Sequence, residues 1–446
     1  MKKVVKFGGS SLANADQFKK VGAIITADDT RRYVVPSAPG KRFPKDTKVT
    51  DMLYACYESA ANGEDFSEQL DNIHARYQEI IDGLNLDFSL DLDFVQIKEN
   101  FSNKAGADYA ASRGECLNGK IMAAYLGFEF VDAAEVVRFN DDGSFNDEVT
   151  NTLLSERLQD CKTAVIPGFY GAKKDGTIVT FSRGGSDITG SLVALAVQAD
   201  LYENWTDVSG FLIADPRIVK NPKSIETITY KELRELSYMG ASVLHEDAIF
   251  PVRKAGIPIN IRNTNAPQDK GTLIVEGTCR QPKYTITGIA GTDGFVAITV
   301  EKAMMNSEVG FCRKVLQVFE DNGVSIEHMP SGIDTMSIFV NKDVFEEKEQ
   351  KILADIHKAV NPDHIELESN LALIAVVGRG MKSTRGTAGR IFSALAHAHI
   401  NVKMIDQGSS ELNIIIGVRH DDFKNAIYGE EVRGSMISLA EKLNTE

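Results

Sequence analysis

The sequence has little of what announces a membrane, secreted or zinc-binding protein. None of its apolar runs approaches the roughly 18 residues of a membrane span. Its start, MKKVV, turns polar too soon for a signal peptide. Cysteine is scarce, with five in 446 residues (Cys56, Cys116, Cys161, Cys279, Cys312) and no C-x-x-C pair. An odd, dispersed set argues against a disulfide framework or a metal site and for free thiols in a reducing cytoplasm. Positive charge is in deficit as well. There are 49 Lys and Arg against 63 Asp and Glu, a net charge of −14. That balance disfavours a non-specific grip on nucleic acid, which needs basic patches. No G-x-G-x-x-G follows the first apolar run, against a dinucleotide-dependent dehydrogenase, and the Walker A order is missing.

What is there is ordinary globular composition, 43% hydrophobic and 25% charged, in a chain long enough for two or three domains. Up to about residue 275, apolar runs alternate with amphipathic stretches. Strands are expected at Lys3–Phe7, Tyr33–Pro36, Thr163–Gly168, Ile178–Phe181, Ile259–Arg262 and Leu273–Val275. Helices are expected at Asp108–Leu126 and Asp187–Gln198, and Asp87–Asp93 reads as a loop or short helix. The alternation predicts an α/β layered domain with a mainly parallel sheet over 1–278. A polar stretch, TCRQPKY from Thr278, is the expected boundary.

Beyond it lies an internal repeat. At an offset of 76, Ile326 matches Val402, Gly332 matches Gly408, and Ile338 matches Ile414. The preceding helices match too, with Val315, Leu316 and Phe319 against Ile391, Phe392 and Leu395. Each unit reads strand–helix–strand–strand–helix–strand. The first is complete over 295–369; the second, from Leu371, lacks a last strand. An orphan strand over Tyr284–Ile289 is expected to complete it. The regulatory region 284–446 would then be one unit (295–369) inserted into the other (284–290 plus 371–446).

Five segments carry chemistry. In VVKFGGSS, Lys6 lies in an apolar run that ends on Gly8, Gly9 and Ser10. A strand entering a glycine turn before a helix makes a phosphate cradle, with the lysine as a point charge. The plain alternative is a strand-edge lysine beside a tight turn. TFSRGGSDITGSLVA, from Thr180, is a second such corner. Ser186 reads as its N-cap, Arg183 as a bidentate anion clamp, and Asp187 as a first-turn acid that could merely suit the helix dipole. Two glycine corners with Lys, Arg and Asp together suggest a phosphoryl-transfer cleft at strand C-termini. Glu115, after Gly114 in a helical stretch, can hold a substrate ammonium, although a solvated face is the usual reading. Thr206 and Asp207 end a strand, and Asp215-Pro216-Arg217 makes a turn followed by an exposed cation, either a plain turn or a nucleotide contact. His245, beside Glu246 and Asp247, reads as a packed or solvated helix residue rather than a ligand, so no metal site is expected.

KFGGSS, VVPSA, KVTDML, RGE, SRGGSD, TDVSGF, DPRIV and MGASVLH occur here in the order found in aspartokinases, within the amino acid kinase family, and the chain resembles them over nearly its whole length. The C-terminal repeats resemble ACT domains. K-x-G-G alone would fit acetylglutamate, glutamate or uridylate kinases equally well. The resemblance implies phosphorylation of the L-aspartate side chain with ATP and Mg²⁺. It assigns Lys6 to the phosphates and transition state, and Gly8, Gly9 and Ser10 to the phosphate loop. It places Glu115 by the aspartate ammonium, Arg183 on the α-carboxylate, Ser37 of VVPSA and Ser186 at the substrate, and Asp187 as the orienting partner of the lysine. Thr206, Asp207 and Arg217 fall on nucleotide contacts. Two positions depart from the family pattern: Ser242 stands where a lysine is common, and Leu212 where some members have tyrosine.

In such enzymes the ACT pair binds an end-product amino acid, usually at a dimer interface. With no homoserine dehydrogenase region after Glu446, the resemblance is to the monofunctional, lysine-responsive type, threonine being the second choice. Met305, Gly310, Ser325, Ile326 and Glu327 match the effector pocket; Glu308 and Cys312 replace typical pocket residues. The plain reading makes Met305 and Ile326 core and Glu327 solvated. Assembly into a dimer or tetramer through the ACT units is implied. The competing functions are a glutamate-type kinase and a non-catalytic amino-acid sensor.

Overall fold

The computed structural model describes residues 1–182, 184–240, 246–277 and 284–427. No helix among them is long and apolar enough to cross a membrane. The chain divides into two compact units. The first is Met1–Phe211, Ser224–Tyr230 and Val243–Thr278; the second is Leu212–Lys223, Lys231–Ser242 and Cys279–Glu446. Two segments from the region read as catalytic, 212–223 and 231–242, thus group with the C-terminal part. Ala214 and Val219 enter its core. The expected boundary at 278–283 lies outside the described residues.

The first unit is an α/β fold around an eight-stranded sheet. Across it run Glu129–Phe130, Ala164–Val165, Arg31–Pro36, Lys3–Phe7, Leu201–Thr206, Ile259–Asn263, Thr272–Val275 and Thr227–Thr229. All neighbours are parallel except Ile259–Asn263 with Thr272–Val275. Lys3–Phe7 is central because Val4, Val5 and Phe7 are fully buried, as a strand covered on both faces requires. The chain moves from this strand to Arg31–Pro36 on one side and later to Leu201–Thr206 on the other. The crevice at their C-terminal ends is a topological switch point, where ligands bind in such sheets.

Local sequence accounts for the rest. Helix Ala107–Leu126 ends on Gly127, whose left-handed backbone (φ 67°) lets its N–H reach Ala123 O. The strand expected over Thr163–Gly168 pairs regularly only at Ala164–Val165, because Pro167 has no N–H to give. Ile166 and Gly168 still donate to Val34 O and Pro36 O. The acidic stretch 87–93 becomes a helix at Asp91, running to Ser102.

The second unit is α+β. Its six-stranded antiparallel sheet runs Ile326–His328, Thr335–Asn341, Gly288–Glu301, His364–Val377, Asn413–Arg419 and Met404–Asp406. The repeat is literal at the backbone. Strands Gly288–Glu301 and His364–Val377 stand 76 apart (364 − 288), as do helices Phe311–Asp321 and Thr387–His397 (387 − 311). Each of those helices starts after a left-handed glycine, Gly310 (φ 84°) and Gly386 (φ 81°). Of the orphan strand expected over Tyr284–Ile289, only Gly288 and Ile289 are strand, and they are the front of Gly288–Glu301: Gly288–Asp293 pairs with Ala372–Val377, and Phe295–Glu301 pairs with Thr335–Asn341. Two hydrophobic cores result, one around Ile374, Ile391 and Ile416 and the other around Ile298, Phe311 and Ile338.

Candidate active site

The cleft follows from where the first strand stops. Gly8 N donates to Trp205 O at 3.0 Å and Ser37 N to Phe7 O at 3.0 Å, so three strand ends meet at one corner. Gly9 and Gly40 then interlock. Gly40 N donates to Gly9 O at 2.9 Å. A Cβ on Gly9 would lie 2.8 Å from Ala38 O, and one on Gly40 2.6 Å from the Gly9 carbonyl carbon. Here glycine is required by close approach of two backbones. Gly40→Ala should destabilise the first unit by about 1–3 kcal/mol, the usual cost of overpacking. Denaturant titration reads this, and an unshifted midpoint would mean the two segments can part freely.

The helix at this corner begins later than the sequence suggests. Gly9–Leu12 forms a 3-10 turn, and the helix starts at Ala15 because Asn14 caps it, its side chain accepting from Gln17 N at 3.0 Å.

Lys6 points from the strand into the protein and is only 8% exposed. Its Nζ lies 2.6 Å from Asp187 Oδ1. Asn204 Nδ2 donates to the same oxygen at 2.7 Å. Lys6 and Asn204 are register partners on adjacent parallel strands, hence on one face of the sheet. The alternate residues serve the opposite face, where buried Glu203 accepts from Arg31 Nε at 2.8 Å and Trp205 Nε1 at 2.9 Å. Asp187 belongs to the first turn of helix Gly185–Ala196. The Lys6–Asp187 pair therefore joins the first glycine corner to the second.

Ser186 is not the N-cap. That place falls to Gly184, which is left-handed (φ 59°), and the helix begins at once with Gly185. The cause is packing: a Cβ on Gly185 would lie 2.5 Å from the Phe169 ring, and one on Gly168 2.6 Å from Ser186 Cβ. Ser186 is instead a buried residue of the first turn.

A cavity of about 710 Å³ opens at this corner, lined by Gly8, Gly9, Ser10, Ser37, Glu115, Thr206 and Asp207, among others. Seven residues picked from four separate motifs thus share one space. Glu115 is 6% exposed, and its Oε2 has no hydrogen-bond partner. Burial pushes its carboxyl up to about 8, against the opposing pull of the Ala38 N–H and the Lys6 charge. Asn118, one turn on, donates to Ser37 O at 2.6 Å. Asp207 accepts from Thr206 Oγ1 at 3.2 Å.

Other expected site residues fall elsewhere. Arg183, Ser242 and His245 lie outside the described residues. Arg217 and Leu212 belong to the second unit. Arg217 is 84% exposed and bound to Asp215 at 2.6 Å. In the second unit, Met305 is buried in the core and Ile326 packs against it, as the plain reading had them. Gly310 begins the helix Phe311–Asp321. Ser325 is exposed. Glu327 is not simply solvated, since it accepts a hydrogen bond from Tyr238. Glu308 holds both Lys302 and Lys314 at 2.7 Å. Asn204 escaped sequence reasoning; a polar residue inside the buried run YENWT was the available signal for it.

Known proteins match this architecture. Residues 1–263 match the model of the amino acid kinase family, and residues 374–428 match that of an ACT domain. Aspartokinase 3 of Bacillus subtilis is 41% identical, over 98% of this chain and 100% of its own. The crystal structure of Clostridium acetobutylicum aspartate kinase is 53% identical, with a TM-score of 0.89, over 99% of this chain and 100% of its own. Escherichia coli aspartokinase III, 25% identical, has been solved with aspartate and ADP (R-state) at a TM-score of 0.70 and with lysine and aspartate (T-state) at 0.72. The matches cover 95% of this chain and 97% of that one, and 100% of both, respectively. On the family match and the full-length identity, this chain belongs to the amino acid kinase family and, within it, to the aspartokinases.

Proposed function

We propose that the first unit transfers the γ-phosphoryl group of ATP to the side-chain carboxylate of L-aspartate, giving 4-phospho-L-aspartate and ADP, the first step towards lysine, methionine and threonine. The observation that carries this reading is the pairing of buried Lys6 with half-buried Asp187 at the strand-end corner that opens into the Glu115 cavity. The acceptor is already anionic near neutrality, an ordinary Asp ionising near ~3.9, so no general base is needed. The task is to bring two anions together. Lys6 supplies a cation to the transferring oxygens, and Asp187 with Asn204 fixes its direction. Gly8 and Gly9 admit the phosphates without side-chain obstruction, Ser10 completes the phosphate loop, and Thr206 and Asp207 serve the nucleotide. Glu115 takes the aspartate ammonium, Arg183 its α-carboxylate, and Ser37 and Ser186 orient the substrate. Asp207, lining the cavity, suits a hydrated Mg²⁺ that arrives with the nucleotide and needs few protein ligands. Bound there, Mg²⁺ would neutralise phosphate charge.

The second unit is read as two ACT domains, 295–369 set into 284–290 plus 371–446. The pairing of Gly288–Asp293 with Ala372–Val377 supports this. It binds a regulatory amino acid, lysine in preference to threonine, through Met305, Gly310, Ser325, Ile326 and Glu327, and it joins copies into a dimer or tetramer. The lysine-bound relative supports that choice. A cytoplasmic enzyme suits the four described cysteines, all free.

An aspartate- and ATP-dependent assay trapped with hydroxylamine tests both parts. Acyl phosphate should form with aspartate and not with glutamate. Lysine should raise the aspartate half-saturation about 5- to 150-fold, the range of ordinary coupling. Turnover of glutamate instead would overturn the substrate, and an unmoved aspartate curve at saturating lysine would remove lysine as effector.

A further inference from the structure

We infer that Arg76 is a positioning residue for phosphoryl transfer, strapping the 37–48 wall of the cavity to the end of the glycine turn. The inference rests on the reading of that cavity as the phosphoryl-transfer site. Arg76 lies on helix Ser67–Gly83, whose other buried side chains are Leu70, Ile73, Tyr77, Ile80 and Ile81. It is 4% exposed. Its Nη1 donates to Asp46 Oδ2 at 2.7 Å, and its Nη2 donates to Gly40 O at 2.8 Å and Ala13 O at 3.2 Å. Its Nε is buried without a partner. A buried cation with a donor left over is a costly way to pack a helix, and an apolar side chain would pack more cheaply. What the guanidinium adds is direction, because its planar fork meets acceptors on two segments at fixed angles.

Gly8, Gly9 and Ser10 of the one segment and much of 37–48 in the other line the cavity, while the acceptors Ala13 and Asp46 stand behind that lining. Residues 37–48 form neither helix nor strand, yet supply eight of the fifteen lining residues. So long an irregular stretch keeps its place only through ties to the scaffold. At Ser37 the ties run to Phe7 and Asn118; further along, at Gly40 and Asp46, they converge on Arg76. Gly40 is held from both sides, its N–H by Gly9 and its carbonyl by Arg76. Asp46 is held by Arg42 as well as Arg76, and Arg42 reaches Glu79, one turn along the same helix. The Arg42 hydrogen bond, with Arg76 behind it, keeps the Asp46 carboxyl well below the usual range, so the latch stays charged at neutral pH. None of the Arg76 bonds goes to Lys6, Asp187 or Glu115, so its influence on the reaction runs through the wall.

The test uses the full chain with Arg76→Lys, Arg76→Met and Asp46→Asn. It reads kcat and KM for both substrates, the thermal midpoint, and hydrogen exchange with and without MgADP. Arg76→Met should lose about tenfold in kcat/KM for both ATP and aspartate, since small misplacement of a wall is felt in the rate. Exchange should quicken in 37–48, with less protection by MgADP than in the parent, and stay unchanged in the second unit. Arg76→Lys and Asp46→Asn should fall between. A folded Arg76→Met with parental kinetics would overturn the proposal. So would faster exchange throughout the first unit with activity lost only in proportion to the folded fraction. If Arg76→Met does not fold, parental exchange in 37–48 and parental KM values in the other two variants overturn it equally. If the parent turns over no aspartate, the substrate reading fails, while the MgADP-dependent exchange still decides the strap.

Discussion

Lys6→Met should lower kcat by about 10³-fold while the KM for ATP moves only a few-fold, because removing one preorganised donor from developing charge costs 10²–10³ or more in rate. Three features make Lys6 such a donor. It is buried, so its charge acts in a poor dielectric. It is held at 2.6 Å by Asp187, which Asn204 holds in turn, so nothing must reorganise when the phosphoryl group moves. And it lies on the central strand, between residues packed on both sides. Methionine keeps the stem volume, leaving Val4, Val5 and Phe7 in place. The variant should also lose about 1–3 kcal/mol of stability, because Asp187 forfeits its cation but keeps Asn204 and some solvent. Lys6→Met with Asp187→Asn separates the two effects: stability should return and kcat should not. Turnover within tenfold of the parent in Lys6→Met would remove the lysine from the chemistry.

What could be read in advance was local. A lysine inside VVKF followed by two glycines is odd within five residues, and no fold is needed to notice it. The same holds for the second Gly-Gly corner and for the repeat, whose apolar spacing copies itself at an offset of 76. What stayed hidden depends on partners far away in sequence. Asn204 matters because its strand lies beside Lys3–Phe7, some 198 residues earlier (204 − 6), and no local pattern announces strand order. Arg76 matters because Ala13, Gly40 and Asp46 come to it. Ser186 looked like a cap because serine favours that place, but a glycine able to turn left-handed stood two residues earlier and packing took it. Segments 212–223 and 231–242 looked catalytic by their neighbours in the chain. Yet Ile213 pairs with Ile289, and Glu232 binds Arg379 at 2.8 Å, so tertiary contacts assign them to the second unit.

Glu115 should show its role through pH. Its carboxyl, ordinarily near 4.5, is raised to about 8 by burial. The native state therefore keeps a proton between those values that the unfolded chain has released. Stability contributed by the neutral form is complete below 4.5 and is lost as pH rises to about 8. Glu115→Gln, which is never charged, should match the parent near pH 5 and exceed it at pH 9 by on the order of 3–5 kcal/mol, since each tenfold change in proton affinity is worth about 1.4 kcal/mol. With the aspartate ammonium placed here as proposed, substrate reverses the preference. An ammonium set against Oε2, which has no partner of its own, requires the carboxylate, so aspartate must expel the proton. The KM for aspartate should then fall about tenfold per pH unit from pH 6 and level off near 8. In Glu115→Gln that slope should vanish, and KM at pH 8.5 should rise about 10²-fold, the scale for removing one partner of a buried charge pair. The KM for ATP should stay within a few-fold, because the nucleotide does not depend on this carboxylate. A parental KM for aspartate that is flat from pH 6 to 9, or unchanged by Glu115→Gln, would show that the ammonium binds elsewhere and that this buried acid serves the fold alone.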